Sequence, residues 1–125
     1  DQTPKEIVLR FYKLALTDLK PKEAFALYAA PEFQEHSADS KGGTAQSTVE
    51  FLTSLIKKSP QPKWEILRVI AEGEMVFLHA RFTPSKDTTP SSVGEIFRVH
   101  DGKIAEHWDI IQPAPEHPTN PNSIF

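Results

Sequence analysis

The chain has no cysteine. A disulfide framework, a thiolate nucleophile and cysteine-ligated zinc or iron–sulfur centres are therefore excluded. No apolar run approaches the ~18 residues that a membrane-spanning helix requires. Positive charge is not in surplus either: 14 Lys and Arg face 17 Asp and Glu, for a net charge of -3. That balance argues against a general nucleic-acid binder, which shows a basic stripe or a strongly basic composition. Also missing are a phosphate-cradling glycine loop, a dinucleotide fingerprint and a Gly-x-Ser-x-Gly nucleophile elbow. What remains is 125 residues, 38% hydrophobic and 25% charged, the size and composition of one globular domain. The first residue is Asp1 rather than Met, so it is either an arbitrary boundary or a mature end exposed by processing. Cytoplasmic, periplasmic and secreted locations all stay open.

The first half of the chain carries helical signals. Thr3, Pro4 and Glu6 form a capping-box start, and Ile7, Val8, Phe11, Leu14 and Ala15 follow at helical spacing, with Tyr12 at the stripe's edge. A second helix starts at Pro21 and ends before Pro31, and Phe33 to Ser37 reads as extended. Thr44 to Lys58 is a third helix, closed by Ser59-Pro60. After Pro62 the pattern turns to strands: Trp64 to Glu72, Met75 to Pro84, Ser92 to His100 and Lys103 to Ile111. The tail from Gln112 onward holds four of the 11 prolines and cannot be a central strand. Helices first and an antiparallel meander afterwards make an α+β fold in a single domain, residues 1–125, with 112–125 as its proline-rich tail.

The turn at His100-Asp101-Gly102 decides which side chains share a face. A two-residue loop sets Glu95 opposite Trp108; a three-residue loop with a bulge at Gly102 pairs Glu95 with His107. The bulged form is preferred because it gathers Glu95, Phe97, His107 and Asp109 on one side and Ile96, Ile104, Trp108 and Ile110 on the other. His107 and Asp109, two apart on a strand, point into one space about 7 Å apart. An imidazole and a carboxylate so placed can divide acid and base work. Glu95 would orient the imidazole or, when protonated, donate to a carbonyl. On the strand from Met75, alternation places Met75, Phe77, His79 and Arg81 one way and Val76, Leu78, Ala80 and Phe82 the other; the first set is expected on the pocket side. Both sheet faces are then substantially apolar. Three helices cover one of them, so the other is expected to bury Ile66, Val76, Leu78, Ile104, Trp108 and Ile110 in a homodimer, unless the tail folds over it. His36, His79, His107 and Asp109 could in principle ligate a metal, but their spacing does not demand one, and no metal or cofactor is expected.

The run Gly102-Lys103-Ile104-Ala105-Glu106-His107-Trp108-Asp109-Ile110-Ile111-Gln112-Pro113 resembles the late-strand signature of SnoaL-like proteins, the polyketide-cyclase group of the nuclear transport factor 2-like superfamily. Glu95-Ile96-Phe97-Arg98-Val99 and Asn120-Pro121-Asn122-Ser123-Ile124-Phe125 are similar to what accompanies it there, so the likeness covers nearly the whole chain. Phe33-Gln34-Glu35-His36-Ser37 departs from the family's Tyr-x-Gln-His-Asn-Pro stretch and keeps its histidine. The resemblance implies a cone-shaped fold of three helices on a curved antiparallel sheet, with an internal pocket. It also implies cofactor-independent chemistry on a small hydrophobic carbonyl compound, such as aldol-type ring closure, or else a non-catalytic binding module of the same fold. A more distant similarity to ketosteroid isomerases sets Tyr12 where their oxyanion tyrosine sits, Glu95 at their protonated acid and His36 at their base. The candidate catalytic residues are accordingly His107, Asp109, Glu95 and His36. Tyr12, Phe11, Met75, Phe77, His79 and Phe97 are the candidate ligand-binding residues.

Overall fold

The computed structural model describes residues 2–125. Helix α1 spans Pro4–Tyr12, and its start is the expected capping box: the Glu6 amide donates to Thr3 Oγ1, and the Thr3 amide donates back to Glu6 Oε1. The helix runs on into a π-helical turn, Lys13–Thr17, whose wider winding rotates Leu16 into the core and leaves Leu14 partly exposed. Helix α2 is Pro21–Tyr28 and α3 is Ala45–Lys58, the latter capped by Thr44.

Strand β1 is Ala29–Glu35, so the extended stretch begins earlier than expected and contains Pro31. An edge strand tolerates that proline, and pairing to its neighbour is interrupted between Ala29 and Gln34. The remaining strands are β2 Lys63–Glu72, β3 Met75–Thr83, β4 Ser91–His100 and β5 Lys103–Pro113. They form one sheet in the order β1-β5-β4-β3-β2, antiparallel except for the parallel β1–β5 pair.

Register settles the faces. The turn after β4 is the two-residue kind, since His100 pairs with Lys103 and both Asp101 and Gly102 have positive φ. The bulge lies instead at Ala105, between the pairs Val99–Ile104 and Arg98–Glu106. Glu95 therefore stands opposite Asp109, and Phe97 opposite His107; neither pairing weighed from the sequence is correct, yet Glu95, Phe97, His107 and Asp109 do share the inner face. The bulge also turns Ile104 inward, where it is fully buried beside the helices, contrary to its expected place outside.

On β3 the expected faces are reversed. Leu78 pairs with Glu95 and Val76 with Phe97, so Val76, Leu78 and Ala80 lie inward and are fully buried. Met75, Phe77 and His79 lie on the outer face, where the Phe77 ring packs over Gly94. Of the six residues expected at an outer subunit contact, Val76, Leu78 and Ile104 are core, and Ile66, paired with Ala80, also stands on the inner side; Ile110 is exposed on the outer face. The tail crosses back over the outer face at β2 and β3: Arg68 Nη2 donates to the Phe125 carbonyl, and the Arg81 guanidinium sits 4.3 Å from the Phe125 ring centre.

Candidate active site

Between the helices and the concave face of the sheet lies a cavity of about 220 Å³. Its walls are aromatic and aliphatic. Phe11, Phe25 and Phe33 meet edge to face at 5.0 and 5.3 Å, and Trp64 stacks on Phe82 at 4.6 Å. One side is polar and carries Tyr12, Glu35, Glu95, His107 and Asp109.

The polar side is a chain of charge-assisted hydrogen bonds. Tyr12 Oη donates to Glu95 Oε2 at 2.8 Å, and His107 Nε2 donates to Glu95 Oε1 at 2.8 Å. The other imidazole nitrogen, Nδ1, donates to Glu35 Oε2 at 2.5 Å. Glu35 in turn accepts from the Ser37 amide. Burial works against a charge on His107, but the bonds and charges of Glu35 and Glu95 outweigh it, and its pKa is pushed up to about 10. His107 is therefore an imidazolium clamped between two carboxylates, with both N–H groups committed. Burial and the neighbouring Glu95 charge raise the Tyr12 phenol well above its usual pKa, which keeps it a neutral donor.

Asp109 differs from its neighbours. Its carboxylate lies within 4.8 Å of ligand atoms of both Glu95 and His107, and it is half-buried in the cavity wall. Burial first and the Glu95 charge second raise its pKa above the ordinary 3.8, while His107 and a hydrogen bond from Ser37 pull the other way. A carboxylate with a raised pKa facing an apolar cavity is suited to exchanging protons with a bound molecule. The same three residues supply donor atoms close enough for a cation, but an imidazolium has no lone pair to give a metal.

Of the residues singled out from the sequence, Phe11, Tyr12, Glu95, Phe97, His107 and Asp109 line the cavity. Four do not. His36 lies beyond it, stacked on Trp108 at 4.8 Å and bonded to Glu106 at 2.7 Å. His79 bridges Arg68 and Ser92 on the outer face, and Met75 and Phe77 are on that face with it. The dispersed histidines also dissolve the metal set considered from the sequence. Missed altogether was Glu35, which reaches the site because β1 pairs in parallel with β5 and sets Glu35 beside His107. The alternation Phe33-Gln34-Glu35 hints at it, since Phe33 is a core residue and Glu35 shares its side. Trp64, Phe82 and Thr48 were likewise missed as cavity residues.

The sequence pattern of the SnoaL-like domain matches residues 8–107. No curated protein matches the chain in sequence. Among solved structures, IdmH, a candidate polyketide cyclase from Streptomyces antibioticus, superposes with a TM-score of 0.75 at 15% identity, over 89% of this chain and 93% of that one. A candidate polyketide cyclase from Acidithiobacillus ferrooxidans gives 0.73 at 20% identity, covering 90% and 89%. A candidate SnoaL-like polyketide cyclase from Jannaschia sp. CCS1 gives 0.73 at 19%, covering 90% of each chain. At such identities the likeness is one of fold, the nuclear transport factor 2-like cone.

Proposed function

Because the chain belongs to the SnoaL-like domain family, we propose that it is an enzyme performing cofactor-independent acid/base chemistry on a hydrophobic carbonyl compound, an aldol-type ring closure or a related isomerisation. The observation that carries this reading is Asp109, a carboxylate of raised pKa without a cationic hydrogen-bond partner in an aromatic-walled cavity. In this scheme Asp109 takes the acidic proton of the substrate, from the carbon next to the carbonyl or from the O–H of its enol form. The negative charge passes from Asp109 to the substrate, so the net charge of the cavity is unchanged; the enolate closes on a second carbonyl or is reprotonated at a new carbon, and Asp109 returns the proton. His107, with both N–H groups committed, moves no proton; it and Tyr12 hold Glu95 in place and set the field at Asp109. Phe11 and Phe97 help to exclude water. His36 has no part, because it lies outside the cavity. The test is turnover of a panel of enolisable diketones. General acid/base catalysis contributes about 10²–10⁴-fold, so Asp109→Asn should lower kcat by that order with little change in KM. An Asp109→Asn protein with full kcat would assign the residue to structure.

A further inference from the structure

The charges around the cavity restrict what can enter it. Its lining holds four carboxylates, Glu35, Asp39, Glu95 and Asp109, and among the described residues no lysine or arginine. The His107 cation lies between Glu35 and Glu95 and balances one of them. The second of that pair, together with Asp109 and with Asp39 on the exposed side, leaves a negative excess facing a largely apolar space where screening is weak.

The donors nearest Asp109 are also spent. Tyr12 gives its proton to Glu95, both His107 N–H groups go to carboxylates, and Thr48 Oγ1 is bonded to the Thr44 carbonyl. The Ser40 hydroxyl, buried and without a partner, is neutral and leaves the sign of the field unchanged. Space is limited as well. About 220 Å³ is below the ~300–1,000 Å³ of pockets that take drug-sized ligands.

We propose that the ligand of this cavity is a compact compound of one or two rings, without negative charge, that presents an O–H donor to Asp109: a phenolic or enolic carbonyl compound rather than a carboxylic acid, a phosphate or an acyl thioester of an anionic carrier. The proposal rests on the reading of the cavity as a site for hydrophobic carbonyl compounds and narrows it. An anion in this space meets like charge and finds no cation. A hydroxyl meets a carboxylate that accepts from Ser37 and has further lone pairs to offer, and hydrogen bonds to ionised acceptors are about twice as strong as neutral ones.

Three probes of one ring skeleton separate the terms at pH 7: 2-naphthol, naphthalene and 2-naphthoate. Binding is followed by the indole N–H resonance of Trp64, which lines the cavity, in a Trp108→Phe protein. We expect 2-naphthol to bind about tenfold or more tightly than naphthalene, and 2-naphthoate to bind more weakly than naphthalene. Asp109→Ala should bring 2-naphthol down to the level of naphthalene. Binding of 2-naphthoate as tight as that of 2-naphthol would overturn the proposal without any variant being made. So would equal binding of 2-naphthol and naphthalene, although the apolar cavity would then still stand. If no probe moves Trp64, the proposal falls together with the reading of the cavity.

Discussion

Replacing His107 by glutamine removes the cation that lies between two buried carboxylates. Glu35 and Glu95 have side chains only 3% and 8% exposed, and each makes a hydrogen bond of 2.8 Å or less to the imidazolium. Uncompensated buried charge of this kind costs about 3–5 kcal/mol, a large share of the ~5–15 kcal/mol by which domains are stable. The pH dependence is the sharper signature. His107 has its folded-state pKa raised to about 10 from an ordinary 6.5, so its contribution is fully present below pH 6.5 and is lost as pH rises toward 10. Over that window each pH unit changes stability by about 1.4 kcal/mol, and the whole interval is worth on the order of 5 kcal/mol. Urea unfolding of the parent protein between pH 6 and 10 should therefore show a steady fall in midpoint. The His107→Gln protein should start far lower at pH 7 and show no such fall. Exposed His100 also holds its proton above the ordinary value, through Glu74 and Asp101, so the comparison is made with His100→Asn in both proteins. A parent protein whose stability is level from pH 6.5 to 9.5, or a variant destabilised by less than about 1 kcal/mol at pH 7, would refute the clamp.

Tyr12→Phe leaves Glu95 one donor short in a buried setting and should cost about 1–3 kcal/mol by urea unfolding; in the parent protein the Tyr12 phenol should resist ionisation above pH 10 in an ultraviolet titration. The outer face, with Ile70, Met75 and Ile110 exposed, is expected to hold a second copy of the chain. Light scattering at micromolar concentration should give a doubled mass that Trp108→Arg reduces to the monomer, whereas a monomer mass unchanged by concentration would leave that face to the tail.

Much of the fold is readable from local chemistry. Thr3 and Glu6 announce α1, Asp101-Gly102 announces a hairpin, and the change from helical to alternating patterning separates the two layers. The inner face of β5 is readable too, though for the wrong reason. Any single extra residue in the hairpin puts His107 and Asp109 on the side of Glu95, and the bulge at Ala105 supplies it as well as one at the turn would. Ile104, on the other side of that bulge, could not be placed without knowing where it falls. On β3 the alternation is plain, but alternation alone does not say which set faces inward. The wholly apolar set Val76, Leu78, Ala80 and Phe82 belongs to the interior, and His79 stands on the outer face, where Arg68 and Ser92 satisfy it. Glu35 depends on a parallel pairing across 72 residues of sequence separation, which no local pattern encodes.

Proton exchange at Asp109 depends on the field that the cavity sets at its carboxyl group. Titrating its carboxyl carbon by ¹³C NMR measures that field at the atom concerned. The midpoint should lie above the ordinary 3.8, because burial and the Glu95 charge both disfavour the ionised form, and Glu95→Gln should move it downward. A midpoint at or below 3.8 in the parent protein would contradict this, since the cavity would then not favour the protonated form that Asp109 passes through.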